Sequence, residues 1–244
     1  MNQNPTEQPQ EAERIKTIWR TENFIERMEE AVKYHPVSYE ELPDKIELEG
    51  SDIAIAADLI LKDTLEDPLK RERALVGKTS IDGKLVLNKE THIGNEKTVE
   101  PVFSLRTREN AENPIYCKSE YPVFMIHTHG ARDLPASPQD FESLIGDSDK
   151  GAQFQLVLTK STKMLFLRTL QTGEIDSADD VRKIIEESNK KMDEEVDHAV
   201  LKDDLNFKAI WTAKNIKIVL EICRKYKIGA YLSMEGHHYS RIES

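Results

Sequence analysis

Hydrophobic residues recur at helical spacing in the first part of the chain, at strand spacing from Ala74 onward, and at helical spacing again after Gly173. From about 11 to 34, Ile15, Ile18, Trp19, Ile25, Met28 and Val32 predict an amphipathic helix that stops before His35-Pro36. VSYEELPDKIELEG reads as a connector with room for a short strand. Ser51 is placed as the N-cap of a second helix, with Ile55, Leu59, Ile60 and Leu65 on its apolar face and an interruption at Pro68. ALVGKTSIDGKLVL predicts two short strands around an Asp82-Gly83 turn. Further strands are expected at about 98–105 and in YPVFMIHTHG, QFQLVLT and KMLFLRT, the last two joined by a tight Lys-Ser-Thr connection.

Beyond Gly173, SADDVRKIIEESNKKMDEEVDHAVLKDD sets Val181, Ile184, Ile185, Met192 and Val196 on one face, capped by Ser177 with Asp180 in the first turn. Acids far outnumber bases here, as expected of a surface helix. A last helix at 206–227 uses Phe207, Ile210, Trp211, Val219, Ile222 and Tyr226, with Gly229 closing it and IGAYLSM as a final strand. The predicted class is α/β, a mixed sheet sandwiched by helices. The chain divides into a tail and amphipathic helix (1–50), a core (51–172), a charged helical insertion (173–205) and a helix and strand completing the core (206–244).

Composition narrows the partners. The 244 residues suit one large domain with appendages, and 38% hydrophobic residues suffice for a core. The Asn-, Gln- and Pro-rich residues 1–9 predict disorder. The formal charge of −11 disfavours a phosphate backbone as ligand, since such binding runs through Lys and Arg. No apolar run is long enough to span a membrane, and the N-terminus lacks the basic start and apolar stretch of a signal peptide. Cys117 and Cys223 form no CxxC pair, which excludes a thiolate knuckle and points to a reducing compartment. A cytoplasmic protein is expected. GKTS at 77–80 is not a phosphate loop, because Glu72 stands where that motif needs glycine.

The chemistry concentrates in MIHTHGARDLPASPQD. Residues two apart on a strand point to one side. His127 and His129 can therefore present two imidazoles to one point, and a helix starting in SPQD can return the Asp140 carboxylate to it. Two histidines and a carboxylate leave a position open on a bound metal ion. The same SPQD is also an ordinary helix start, with a Ser137 cap, Pro138 at the first position and an acid favoured by the helix dipole. His92, His198, His237, His238 and Cys117 lack partners at metal spacing, and surface or packing roles are expected for them.

His127-Thr128-His129, seven residues, Ser137, two residues and Asp140 resemble the JAMM (MPN-plus) metallopeptidase signature H-[ST]-H-x7-S-x2-D. The resemblance covers about residues 51–236. It implies an MPN/JAB-like fold with a curved mixed sheet and helical additions at both ends. It also implies one Zn²⁺ per chain held by His127, His129 and Asp140, an upstream glutamate as general base, and Ser137 as donor to the developing oxyanion. Glu72 stands where that family places its glutamate, between a helix and the first hairpin; Glu66, Glu90, Glu96 and Glu100 compete for the role, and a solvated member of the KRER charge run is the plainer reading of Glu72. Gly130 departs from the pattern, since family members usually carry proline there. The substrate so implied is an amide or isopeptide bond in an extended tail of a ubiquitin-like or other small protein. Rival readings are a catalytically silent scaffold of the same fold and a RadC-type DNA-repair-associated protein.

Overall fold

A computed structural model describes residues 17–33, 36–79, 84–87, 91–95, 122–130, 152–172 and 204–242, with single positions 136, 140, 141, 144, 183, 186, 187 and 190. In chain order these form β1 (Ile18–Arg20), α1 (Thr21–Lys33), β2 (Lys45–Glu47), α2 (Asp52–Glu66), β3 (Arg73–Thr79), β4 (Leu85–Leu87), β5 (His92–Ile93), β6 (Pro122–Thr128), β7 (Phe154–Leu158), β8 (Lys163–Leu167), α3 (Asp204–Lys225), β9 (Gly229–Ser233) and β10 (His238–Arg241). All ten strands join one mixed sheet in the order β1-β2-β10-β9-β8-β7-β6-β3-β4, with β5 also paired to β3. β1–β2 and β6–β7 run parallel and the other pairs antiparallel. The architecture is mixed α/β.

The sheet is covered on both faces, which explains why every residue of β7, FQLVL, is buried. On one face α1 and α2 cover Leu75, Phe124, Ile126, Leu156 and Leu165. Phe154 stacks on Phe124 at 4.5 Å and takes the edge of Phe24 at 5.0 Å. On the other face Val219, Ile222 and Cys223 of α3, together with Phe141 and Leu144, cover Val157, Met164, Phe166 and Ala230. Alternate residues of one strand therefore serve two separate cores.

Several expectations are corrected. The helix predicted from about 11 begins only at Thr21, because Ile18–Arg20 pairs in parallel with Lys45–Glu47 and the Thr21 hydroxyl donates to the Glu47 carbonyl; tertiary pairing overrides helical spacing. Ser51 caps α2 as expected, accepting from the Ala54 N–H at 3.1 Å, and the helix ends before Pro68. Its buried face is Ile53, Ala57, Ile60 and Thr64, whereas Ile55 and Leu59 are exposed. Small Ala57 lets α2 lie close to the sheet, and two large residues are left outside. Gly229 does not close α3; Lys227 takes the left-handed turn (φ 54°) and Gly229 starts β9, where a side chain would press on Leu42. β5 and β10 were not expected. The predicted strand at 98–105, most of the helix at 177–203 and the first sixteen residues lie outside the described residues. No helix among the described residues is long and apolar enough to cross a membrane.

Candidate metal centre

The strand β6 delivers the two histidines. Phe124 and Ile126 point into the α1/α2 core, so the pleat turns His127 and His129 to the α3 face. Thr128 between them points back to α2. Its hydroxyl accepts from the Arg73 N–H at 2.9 Å and shares a hydrogen bond with the Thr64 hydroxyl at 2.8 Å. The His129 N–H donates to the Leu158 carbonyl. The end of the strand is thus tied on both sides, and the ring positions inherit that rigidity.

Asp140 arrives from the next segment. Phe141 and Leu144, both fully buried, insert into the α3-side core, and Phe141 meets Phe166 edge-on at 5.4 Å. Burying two such side chains is worth about 1.5–3 kcal/mol each, which anchors Asp140 beside them. The His127 Nε2 stands 2.9 Å from Asp140 Oδ1 and 3.2 Å from His129 Nε2, and His129 Nε2 is 3.5 Å from Asp140 Oδ2. All three residues are buried. Burial opposes a charge on Asp140, but the imidazoles of His127 and His129 prevail and hold its carboxyl well below the usual range.

The spacing can be tested against a metal. Four ligands at about 2.05 Å from a tetrahedral ion stand about 3.3 Å from one another. The three separations here bracket that value, and the donor set of two imidazoles and a carboxylate is one that borderline-soft divalent ions accept. His127, His129 and Asp140 could hold a metal ion. The same contacts also serve as ion pairs when the rings are protonated.

Glu72 is buried rather than solvated within its charge run. Its N–H donates to the Asn95 carbonyl and its carbonyl accepts from the Gly94 N–H. β3 and β6 pair Ala74 with His127; carrying that register two residues further, past the ends of both strands, brings Glu72 opposite His129, on the same face. The link from α2 is held by Asp67, which takes Arg71 at 2.9 Å and Arg73 at 3.2 Å. Gly130 has a physical reason. A Cβ there would stand 2.0 Å from the Lys70 carbonyl oxygen and 3.0 Å from Thr64 Cγ2, so the chain leaving β6 can pass this turn only without a side chain.

Ser137, Cys117, His198, Glu90, Glu96 and Glu100 lie outside the described residues. Glu66 is exposed and pairs with Lys62 at 3.9 Å. Cys223 is buried, and burial pushes its thiol up, so it is a packing residue. His237, expected at the surface or in packing, is fully buried in a cluster of its own with Asp58, Lys163 and Tyr239. Sequence reasoning missed the parts played by Arg73 and Gln155, and named Thr128 only as the middle residue of the motif. Gln155 had a visible signal, as the one polar residue inside FQLVL. No protein-family model, curated protein or solved structure matches this chain.

Proposed function

We propose that this protein is a zinc-dependent hydrolase of the JAMM type that cleaves an amide or isopeptide bond in an extended protein tail, ubiquitin-like proteins being the substrate class the resemblance suggests. The observation that carries this reading is the convergence of the His127, His129 and Asp140 ligand atoms at 2.9–3.5 Å, on one sheet face with buried Glu72. His127 and His129 supply neutral nitrogens through Nε2, and Asp140, ionised throughout the neutral range, supplies the negative charge. One Zn²⁺ held there would acidify a water and polarise the scissile carbonyl. Glu72 takes the water's proton and passes it to the leaving amine, as general base and then acid. Ser137 donates to the oxyanion, a contribution typically worth about 3 kcal/mol. The burial of Glu72 supports a place at the site over a solvated place in the KRER charge run.

Metal analysis of the purified chain beside His129→Ala tests the site. About one zinc in the native chain, lost in the variant, is expected. A chain that takes up no zinc refutes the metal assignment and leaves a buried His–Asp–His ion cluster, which suits a silent scaffold. Glu72→Gln separates binding from chemistry: it should keep the zinc and lose turnover of ubiquitin-like tail substrates by at least about a hundredfold.

A further inference from the structure

Gln155 is fully buried in the middle of β7. In the parallel pairing of β6 and β7 it stands across from Met125, one step along its own face from Val157, the partner of His127. A buried amide is costly unless its hydrogen bonds are made. Its Nε2 lies 3.3 Å from His127 Nδ1, on the side of the ring away from Asp140.

That contact bears on which nitrogen of His127 holds the proton. With the amide nitrogen toward it, Nδ1 accepts, and the proton sits on Nε2, where it is donated to Asp140 Oδ1 at 2.9 Å. Ligation through Nε2 needs the opposite tautomer, because a protonated nitrogen has no lone pair to offer. Nδ1 must then donate. The Gln155 amide carries an acceptor, Oε1, as well as the donor Nε2, and a half-turn about its last torsion exchanges the two. Glutamate in this place could only accept, lysine could only donate, and an apolar residue could do neither.

We propose that Gln155 is a positioning residue for His127, its amide matching both tautomers of the ring so that His127 can exchange its proton for a metal without losing its support. The proposal rests on the metal reading given above. Outer partners of this kind typically change metal affinity 10–100-fold.

The full-length chain, stripped with a chelator, serves with Gln155→Leu and Gln155→Glu. Two quantities are read: the proton position on His127, from long-range nitrogen–proton NMR correlations, and Zn²⁺ affinity, by competition with a chromophoric chelator. In the native chain the His127 proton should move from Nε2 to Nδ1 on adding Zn²⁺. Gln155→Leu should weaken Zn²⁺ binding 10–100-fold, and Gln155→Glu, an acceptor, should restore it to the native value or better. If Gln155→Leu does not fold, Gln155→Met, of similar length without an amide, replaces it. Equal Zn²⁺ affinity in native and Gln155→Leu (or Met) chains overturns the proposal and leaves the metal reading standing. So does a His127 proton that rests on Nδ1 before and after zinc. A native chain that binds no Zn²⁺ shows itself in the first titration and overturns the metal reading, and this proposal with it.

Discussion

Two histidine clusters sit on opposite faces of one sheet. On the α3 face, His127 stands 2.9 Å from Asp140; on the α2 face, His237 stands 3.0 Å from Asp58. Both rings are buried, and both touch a carboxylate. The third member differs. In the second cluster it is the Lys163 ammonium, 2.8 Å from Asp58 and 3.0 Å from His237 Nε2, with Tyr239 closing the far side of the ring at 2.9 Å. In the first it is another imidazole nitrogen, 3.2 Å away. Two neutral ring nitrogens facing each other at that distance need a proton or a cation between them. The lysine cluster brings its own cation, and so it is a clamp between α2, β8 and the start of β10. An imidazole pair beside a carboxylate is a ligand set. The third atom decides the difference, while the presence of histidine and aspartate does not.

Supplying the cation separates the two clusters most strongly. Zn²⁺ at about a thousand times its dissociation constant should stabilise the native chain by about 4 kcal/mol. Chelation should remove that gain, measured as a shift in urea midpoint. His237→Gln should keep the response and Asp140→Ala should lose it; a response that follows His237 instead would reverse the assignment of the two clusters. Gly130→Ala probes what the sites share, since α2 carries both Asp58 and the Thr64 that backs Thr128. The added methyl meets a backbone oxygen that cannot step aside cheaply. A loss of about 2–3 kcal/mol is expected, typical of overpacking, with weakened zinc binding beside it. Unchanged zinc affinity in a destabilised Gly130→Ala chain would separate loop and site.

How much of this was legible in the sequence follows from the range of the forces involved. The strand carrying His127 and His129, the cap at Ser51, and the strands at 154–158 and 163–167 were readable because each rests on local periodicity or local hydrogen bonding. Spacing allowed Asp140 to return to the histidines, but the same residues also read as a plain helix start, and it is the fold that brings the three together. The His237 cluster was not readable, because its members Asp58, Lys163 and His237 are scattered along the chain and only the sheet order joins β8 to β9 and β9 to β10. Ile18–Arg20 misled for the same reason. Its helical spacing is genuine, yet pairing with β2 across α1 outweighs it. The α2 face was misread because Ala57, too small to register as a hydrophobic anchor, fixes the close side of the helix.

A smaller effect tests the clamp from within. Lys163→Met removes the cation and leaves Asp58 facing His237. Asp58 is more than half exposed, so water compensates most of the loss. About 1 kcal/mol or less is expected, with zinc binding untouched. A loss well above that would mean Lys163 supports more of the sheet than its contacts indicate.

The last test uses protons as the probe. Burial depresses the pKa of His237 below its ordinary 6.5, outweighing the hydrogen bond to Asp58, which acts the other way, while Lys163 adds to the depression and Glu49 opposes it. A histidine with a depressed pKa folds neutral. Its contribution is therefore complete above pH 6.5 and declines below it, where the unfolded chain takes up a proton that the folded chain refuses. Asp58, held below its ordinary value against the opposing effect of burial, loses its contribution only as the pH falls through the acid range under 3.8. Between pH 7.5 and 5 the titration thus isolates the histidine. With chelator present throughout, the stability difference between native and His237→Gln chains, from urea unfolding, should narrow as the pH falls across that window. A constant difference would mean that His237 gains its proton as readily inside the fold as outside it. The buried ring would then not be held neutral beside Lys163, and the contrast with the His127–His129 pair would lose its physical basis.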